Sequence, residues 1–130
     1  MRVRSLWKSF GYAFAGLKHA VATQRNLRIH LAIAVLVVGL GIYLKLSFRD
    51  WAILAITIGA VITGELINTV VETVVDLASP EYHDLAKIAK DVAAGTVLVM
   101  ALTAIAVGLL ILGPPLWELL FAGPETAGSP

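Results

Sequence analysis

WAILAITIGAVITGELINTVVETVVDLA, residues 51 to 78, decides how this chain folds. Its first fourteen residues are uncharged and almost all Leu, Ile, Val, Ala or Gly. Glu65, Asn68, Glu72 and Asp76 then interrupt the apolar run. At about 100° per residue these four fall within an arc about 80° wide, one stripe of one helix, opposite an apolar face of Ile62, Ile67, Val71 and Val74. A carboxylate in a membrane helix costs from about 3 to more than 10 kcal/mol, depending on the reference. A stripe that survives such a cost must be hydrated, paired or bound to cations.

The rest of the composition fits a membrane chain. Hydrophobic residues make up 58% and charged residues 15% of 130 residues, with a mean hydropathy of +0.86. A soluble domain carries nearer a quarter charged residues. Length indicates one domain, and the absence of cysteine excludes a disulfide framework and thiolate metal sites. Residues 29 to 44 and 92 to 117 form two further uncharged runs. Trp7, Trp51 and Trp117 read as interface anchors. Ser79-Pro80 predicts a helix start near Pro80, and Gly113-Pro114-Pro115 predicts its stop. Leu6, Phe10, Phe14, Leu17 and Val21 recur at helical spacing among basic residues. That is the pattern of a helix lying in the membrane interface rather than of a signal peptide. The expected organisation is all-α: an interfacial helix over 1–28, membrane helices over 29–45, 51–78 and 80–113, and a short tail over 114–130, in which only GPETAGSP reads as disordered.

Charge distribution sets the expected orientation. With three spans, the N-terminal segment and the 77–91 loop share one side and carry eight basic residues, against Lys45 and Arg49 on the other. The positive-inside rule places the eight in the cytoplasm. The cytoplasmic end of the second span is then the end bearing the polar stripe. Hard oxygen donors there suit Mg²⁺, and Lys87 and Lys90 of EYHDLAKIAKD can meet anionic groups. Carboxylates that hold metal beside lysines that neutralise oxygens suit phosphoryl transfer, with a deeper glutamate as base toward a lipid hydroxyl. No Walker A or protein-kinase glycine loop is present. A cation or proton carrier using Glu65 and Glu72, or a catalytically inactive membrane homologue, is the alternative.

GELINTVVETVVD followed by SPEYHDLAKIAKDVAAGTVLV, together with GYAFAGLKHAVATQRNLRIHL, resembles the small bacterial integral-membrane lipid kinases. That is the prokaryotic diacylglycerol kinase and undecaprenol kinase family. The pattern is approximately E-x-x-N-[ST]-x-x-E-x-x-x-D, a short loop, then K-D-x-x-[AS]-[AG]-x-V-L. The resemblance implies ATP as donor, Mg²⁺, a lipid alcohol acceptor, an inner-membrane location and a homotrimer with active sites shared between protomers. It implies no nucleic-acid partner. Glu65 takes the place of the catalytic base, Asn68 of the asparagine beside it, and Glu72 of the carboxylate on the nucleotide's divalent ion. Asp76 continues toward the nucleotide, with Lys90 and Asp91 as the K-D pair and Tyr12 as the aromatic residue near it. Arg28 falls in the lipid and phosphate region. Gln24 stands where many members place a metal-binding glutamate, which removes one negative charge. His19, His30 and His83 are read as residues without chemistry. Gly39, Gly41, Gly95 and Gly108 are read as sites of close helix approach, with Gly95 nearest the site.

Overall fold

The computed structural model describes residues 6–121 and is all-helical over them. Four helices follow in order: α1 (Leu6–Thr23), α2 (Arg25–Tyr43), α3 (Phe48–Ala78) and α4 (Asp84–Phe121). The last three are long and apolar enough to cross a membrane. α3 and α4 form the most extensive helix pair, α2 packs chiefly on α3, and α1 meets the bundle mainly through α2. Little of the chain is buried, as expected where lipid takes the place of a core. Leu27 and Glu65 are the best-buried large side chains.

A single residue, Gln24, separates α1 from α2. It adopts an extended conformation (φ −96°, ψ 111°), and its side chain makes no capping hydrogen bond. Arg28 reaches back from the first turn of α2 and donates to the carbonyl of Ala22 at 3.2 Å. A cation on one of the last carbonyls of α1 is favoured by the helix dipole. Arg28 thus braces the α1–α2 break.

The turn after α2 is a Schellman motif. Lys45 N–H bonds to Ile42 O and Leu46 N–H to Gly41 O, both at 3.2 Å. The motif needs a left-handed residue at its centre, and Lys45 supplies it at φ 54°, a conformation that disfavours any residue bearing a Cβ. α3 then opens on a reciprocal cap. Ser47 Oγ accepts from the Asp50 N–H at 3.2 Å and donates to the Asp50 carboxylate at 2.6 Å.

α4 departs from the expected 80–113 at both ends. It begins at Asp84 because His83, not Ser79, caps it. His83 Nδ1 accepts from the Leu85 N–H at 3.1 Å, and His83 O accepts from the Lys87 N–H at 3.0 Å. Ser79 Oγ instead donates to Glu81 O at 3.0 Å in the connecting turn. At the far end α4 runs through Pro114 and Pro115 to Phe121. Two prolines remove two backbone donors, but Gly113 before them has no Cβ to clash with the proline ring. Membrane helices tolerate such interruptions. Trp117 and Phe121 stack beyond them with ring centroids 4.3 Å apart. Residues 114–121 are therefore helix; the remaining tail lies outside the described residues.

Glycine marks close approach at two places. A Cβ added to Gly64 would overlap Met100 Sδ, and one added to Gly41 meets the Trp51 ring at 2.9 Å. Gly39, Gly95 and Gly108, expected to serve the same purpose, have no atom within 4 Å of such a Cβ among the described residues. Gly64, which sequence reasoning passed over, lets α4 close on α3 immediately beside Glu65.

Candidate functional site at the membrane boundary

The rise of α3 sets the depth of its polar stripe. Glu65 lies about 21 Å along the helix from Trp51, and Asp76 about 16 Å further. With Trp51 taken as the anchor at one face of a hydrocarbon core about 30 Å thick, Glu65 would fall inside it, Glu72 near its boundary and Asp76 beyond.

Burial follows the same gradient. Glu65 is 2% and Asn68 8% exposed, the two buried polar residues of the molecule among those described. Asn68 Nδ2 donates to Glu72 Oε1 at 3.1 Å, which leaves Asn68 Oδ1 buried without a hydrogen bond. Glu65 Oε1 is likewise buried without one. His30 Nε2, from α2, approaches it to 3.1 Å, but off the line of a hydrogen bond. Thr69 satisfies the backbone locally, donating Oγ1 to Glu65 O at 2.8 Å. Two orphaned oxygens in one buried pair are unusual, since buried polar groups are nearly always hydrogen-bonded. The two residues line a cavity of about 230 Å³, together with Asn26 and His30 of α2 and with Ala94, Val97, Leu98 and Ala101 of α4.

The outer end of the stripe is arranged differently. Lys90 of α4 forms an ion pair with Asp76 of α3, so the phosphate-binding lysine inferred from sequence meets the outer carboxylate and not its neighbour Asp91. Asp91 pairs instead with Lys87, one turn earlier, at 2.7 Å. Asp76, Lys87 and Asp91 are exposed, and Lys90 is half-buried. Tyr12 lies on α1, exposed, and Gln24 and Arg28 lie at the α1–α2 break. Glu65, Asn68 and Glu72 are thus brought together, and Asp76 with Lys90. Tyr12, Gln24 and Arg28 belong to a separate stretch of the chain, joined to the first group through α2. Among the described residues no three His, Asp or Glu side chains converge as a metal-binding cluster. His30 is the residue sequence reasoning missed. The signal was present, since it is the sole polar side chain between Arg28 and Tyr43.

The prokaryotic diacylglycerol kinase family model matches residues 11–112, most of the chain and all of this arrangement. The chain belongs to that family. Diacylglycerol kinase of Synechocystis is 49% identical over 117 residues, which cover 89% of this chain and 67% of that protein. Undecaprenol kinase of Bacillus subtilis is 42% identical over 110 residues, covering 85% and 89%. Diacylglycerol kinase of Escherichia coli K12 is 29% identical over 98 residues, covering 75% and 80%. Within the family, then, this chain is similar to relatives named for two different lipids.

Proposed function

We propose that this chain is a lipid kinase, moving the terminal phosphoryl group of ATP to the hydroxyl of a membrane lipid alcohol, undecaprenol or diacylglycerol. The products are the lipid phosphate and ADP. The observation that carries the reading is Glu65: a carboxylate 2% exposed in a helix apolar enough to cross a membrane, lining a cavity, with His30 Nε2 as its near neighbour at 3.1 Å. Glu65 takes the hydroxyl proton as the lipid oxygen forms its bond to phosphorus, and the bond from phosphorus to the ADP oxygen breaks. Lys90, released from Asp76, neutralises charge on the phosphates, with Asp76, Asp91 and Tyr12 lining the approach of the nucleotide. Arg28 holds the α1–α2 break beside the lipid.

The residues present fit a magnesium ion that arrives with its nucleotide. Mg²⁺ is commonly held by one or two carboxylates plus substrate phosphates, and Glu72, the orphaned Asn68 Oδ1 and the amide oxygen of Gln24 are oxygen donors of the right kind. When bound, the ion neutralises phosphate charge. Gln24 offers a neutral oxygen where a glutamate would add charge, so the protein's share of the site is borne mainly by Glu72. The N-terminus and the site face the cytoplasm of a bacterial inner membrane, on the strength of the basic residues at that side. A homotrimer with shared sites follows from the family resemblance.

The test is transfer of labelled phosphate from ATP to each lipid in mixed micelles of the purified protein, compared by kcat/KM. Glu65→Gln should remain folded and lose turnover. Near-normal phosphorylation by that variant, or activity persisting in excess chelator, overturns the reading. Ion flux without ATP consumption would establish a carrier instead.

A further inference from the structure

Two cavities meet at His30. One is the polar cavity of about 230 Å³ that holds Glu65 and Asn68. The other is an apolar groove of about 420 Å³ that runs between α2, α3 and α4 past Val37, Leu54, Ile58, Ile105 and Leu112. His30 and Ala101 border both, and of these only His30 is polar. A lipid whose chain lies in the groove and whose hydroxyl reaches Glu65 passes His30 on the way.

Glu65 needs a partner that its own helix does not provide. The amide of Asn68 is committed to Glu72, the Thr69 hydroxyl is committed to the backbone, and the facing residues of α4 (Ala94, Val97, Leu98, Ala101) carry no polar side-chain atom. From α2, Asn26 is exposed and His30 Nε2 stands 3.1 Å from Glu65 Oε1. A buried ionised group without a partner is too costly to persist. Hydrogen bonds of catalytic groups are often poorly aligned without substrate and tighten when it binds. We propose that His30 is a positioning residue for Glu65: its Nε2–H turns onto Oε1 as the lipid enters and fixes the carboxylate toward the hydroxyl. His30 thereby ties the transfer step to occupancy of the groove. This rests on Glu65 being the base.

The full-length protein in mixed micelles, with undecaprenol and then diacylglycerol as acceptor, tests the idea through His30→Ala, His30→Gln and His30→Leu. Misplacement of a reacting group by about 1 Å can cost about 100-fold, so His30→Ala should lower kcat about 10- to 100-fold. The KM for ATP should stay within about twofold, the signature of an interaction made in the transition state. His30→Gln, whose amide nitrogen can stand in for Nε2, should recover at least about fivefold of that loss, while the similarly sized apolar His30→Leu should not. Equal unfolding midpoints for the Gln and Leu variants separate positioning from packing, and this pair decides the matter if the Ala variant does not fold. Glu65→Gln combined with His30→Ala should be no slower than Glu65→Gln alone. A normal kcat for His30→Ala, or equal activity of the Gln and Leu variants, overturns the inference. An inactive Glu65→Gln beside a normal His30→Ala overturns it alone, whereas an active Glu65→Gln removes the base and this inference together.

Discussion

The two ends of the α3 stripe use the same residue types to opposite effect. At the outer end, Asp76 and Asp91 are exposed and each is matched by a lysine. At the inner end, Glu65 and Asn68 are buried, and each keeps an oxygen without a hydrogen bond. Exposed pairs are worth little, about 0–1 kcal/mol, and can be exchanged for a ligand at little cost. Buried orphans are expensive, about 1–3 kcal/mol or more each, and persist where function requires them. On the proposed reading, the inner end serves chemistry at the expense of stability, and the outer end serves exchange.

That contrast can be broken most directly at Glu65. Glu65→Gln should lower kcat about 10²- to 10⁴-fold, the range of a general base, measured as lipid phosphate formed per unit mass of protein. Glu65→Leu should be equally inactive yet raise resistance to unfolding by about 1–3 kcal/mol, because it removes a buried, unsatisfied carboxyl group. A lower unfolding midpoint for that variant would show that Glu65 stabilises the fold. Gly64→Val tests the closeness of α3 and α4 at the same level. Its side chain must displace Met100, which should cost about 1–3 kcal/mol and lower turnover; Met100→Ala in the same chain should restore part of both. At the outer end, Asp76→Asn should change unfolding stability by less than about 1 kcal/mol and show itself in the KM for ATP instead. The smallest effect is expected outside the stripe altogether. Lys45→Gly relieves the left-handed backbone at the Schellman turn and should stabilise the protein by about 0.5–1 kcal/mol without altering activity.

Much of this could be read from periodicity. The stripe 65, 68, 72, 76 lies within one helix, so a 3.6-residue repeat was enough to place all four residues on a face. The three spans were visible as apolar runs. What sequence reading missed depends on neighbours that periodicity cannot see. The approach of His30 to Glu65 joins two helices 35 positions apart, and the pairing of Lys90 with Asp76, rather than with a residue of its own helix, spans the 79–83 turn. Gly64 matters because of Met100, another helix away. The end points of α4 failed for a different reason. Ser79-Pro80 and Gly113-Pro114-Pro115 are local signals, and each was overridden: the first by a His83 cap, the second in a helix that carries both prolines through to Phe121, as membrane helices tolerate.

The one-residue break at Gln24 couples the protein to the thickness of its bilayer. α2, at nineteen residues, is about 28 Å long, slightly short of the roughly 30 Å of hydrocarbon it must cross. α3 and α4 have turns to spare, so mismatch for them is absorbed by tilting or by projecting further into water. α2 has no such slack at its N-terminal end, where α1 is attached directly. A thicker membrane should therefore draw α1 inward and a thinner one should let it ride higher, shifting Tyr12, Gln24 and Arg28 relative to the stripe. Turnover in vesicles of graded acyl-chain length should peak where α2 and the bilayer match, and a flat profile would show that α1 adjusts independently.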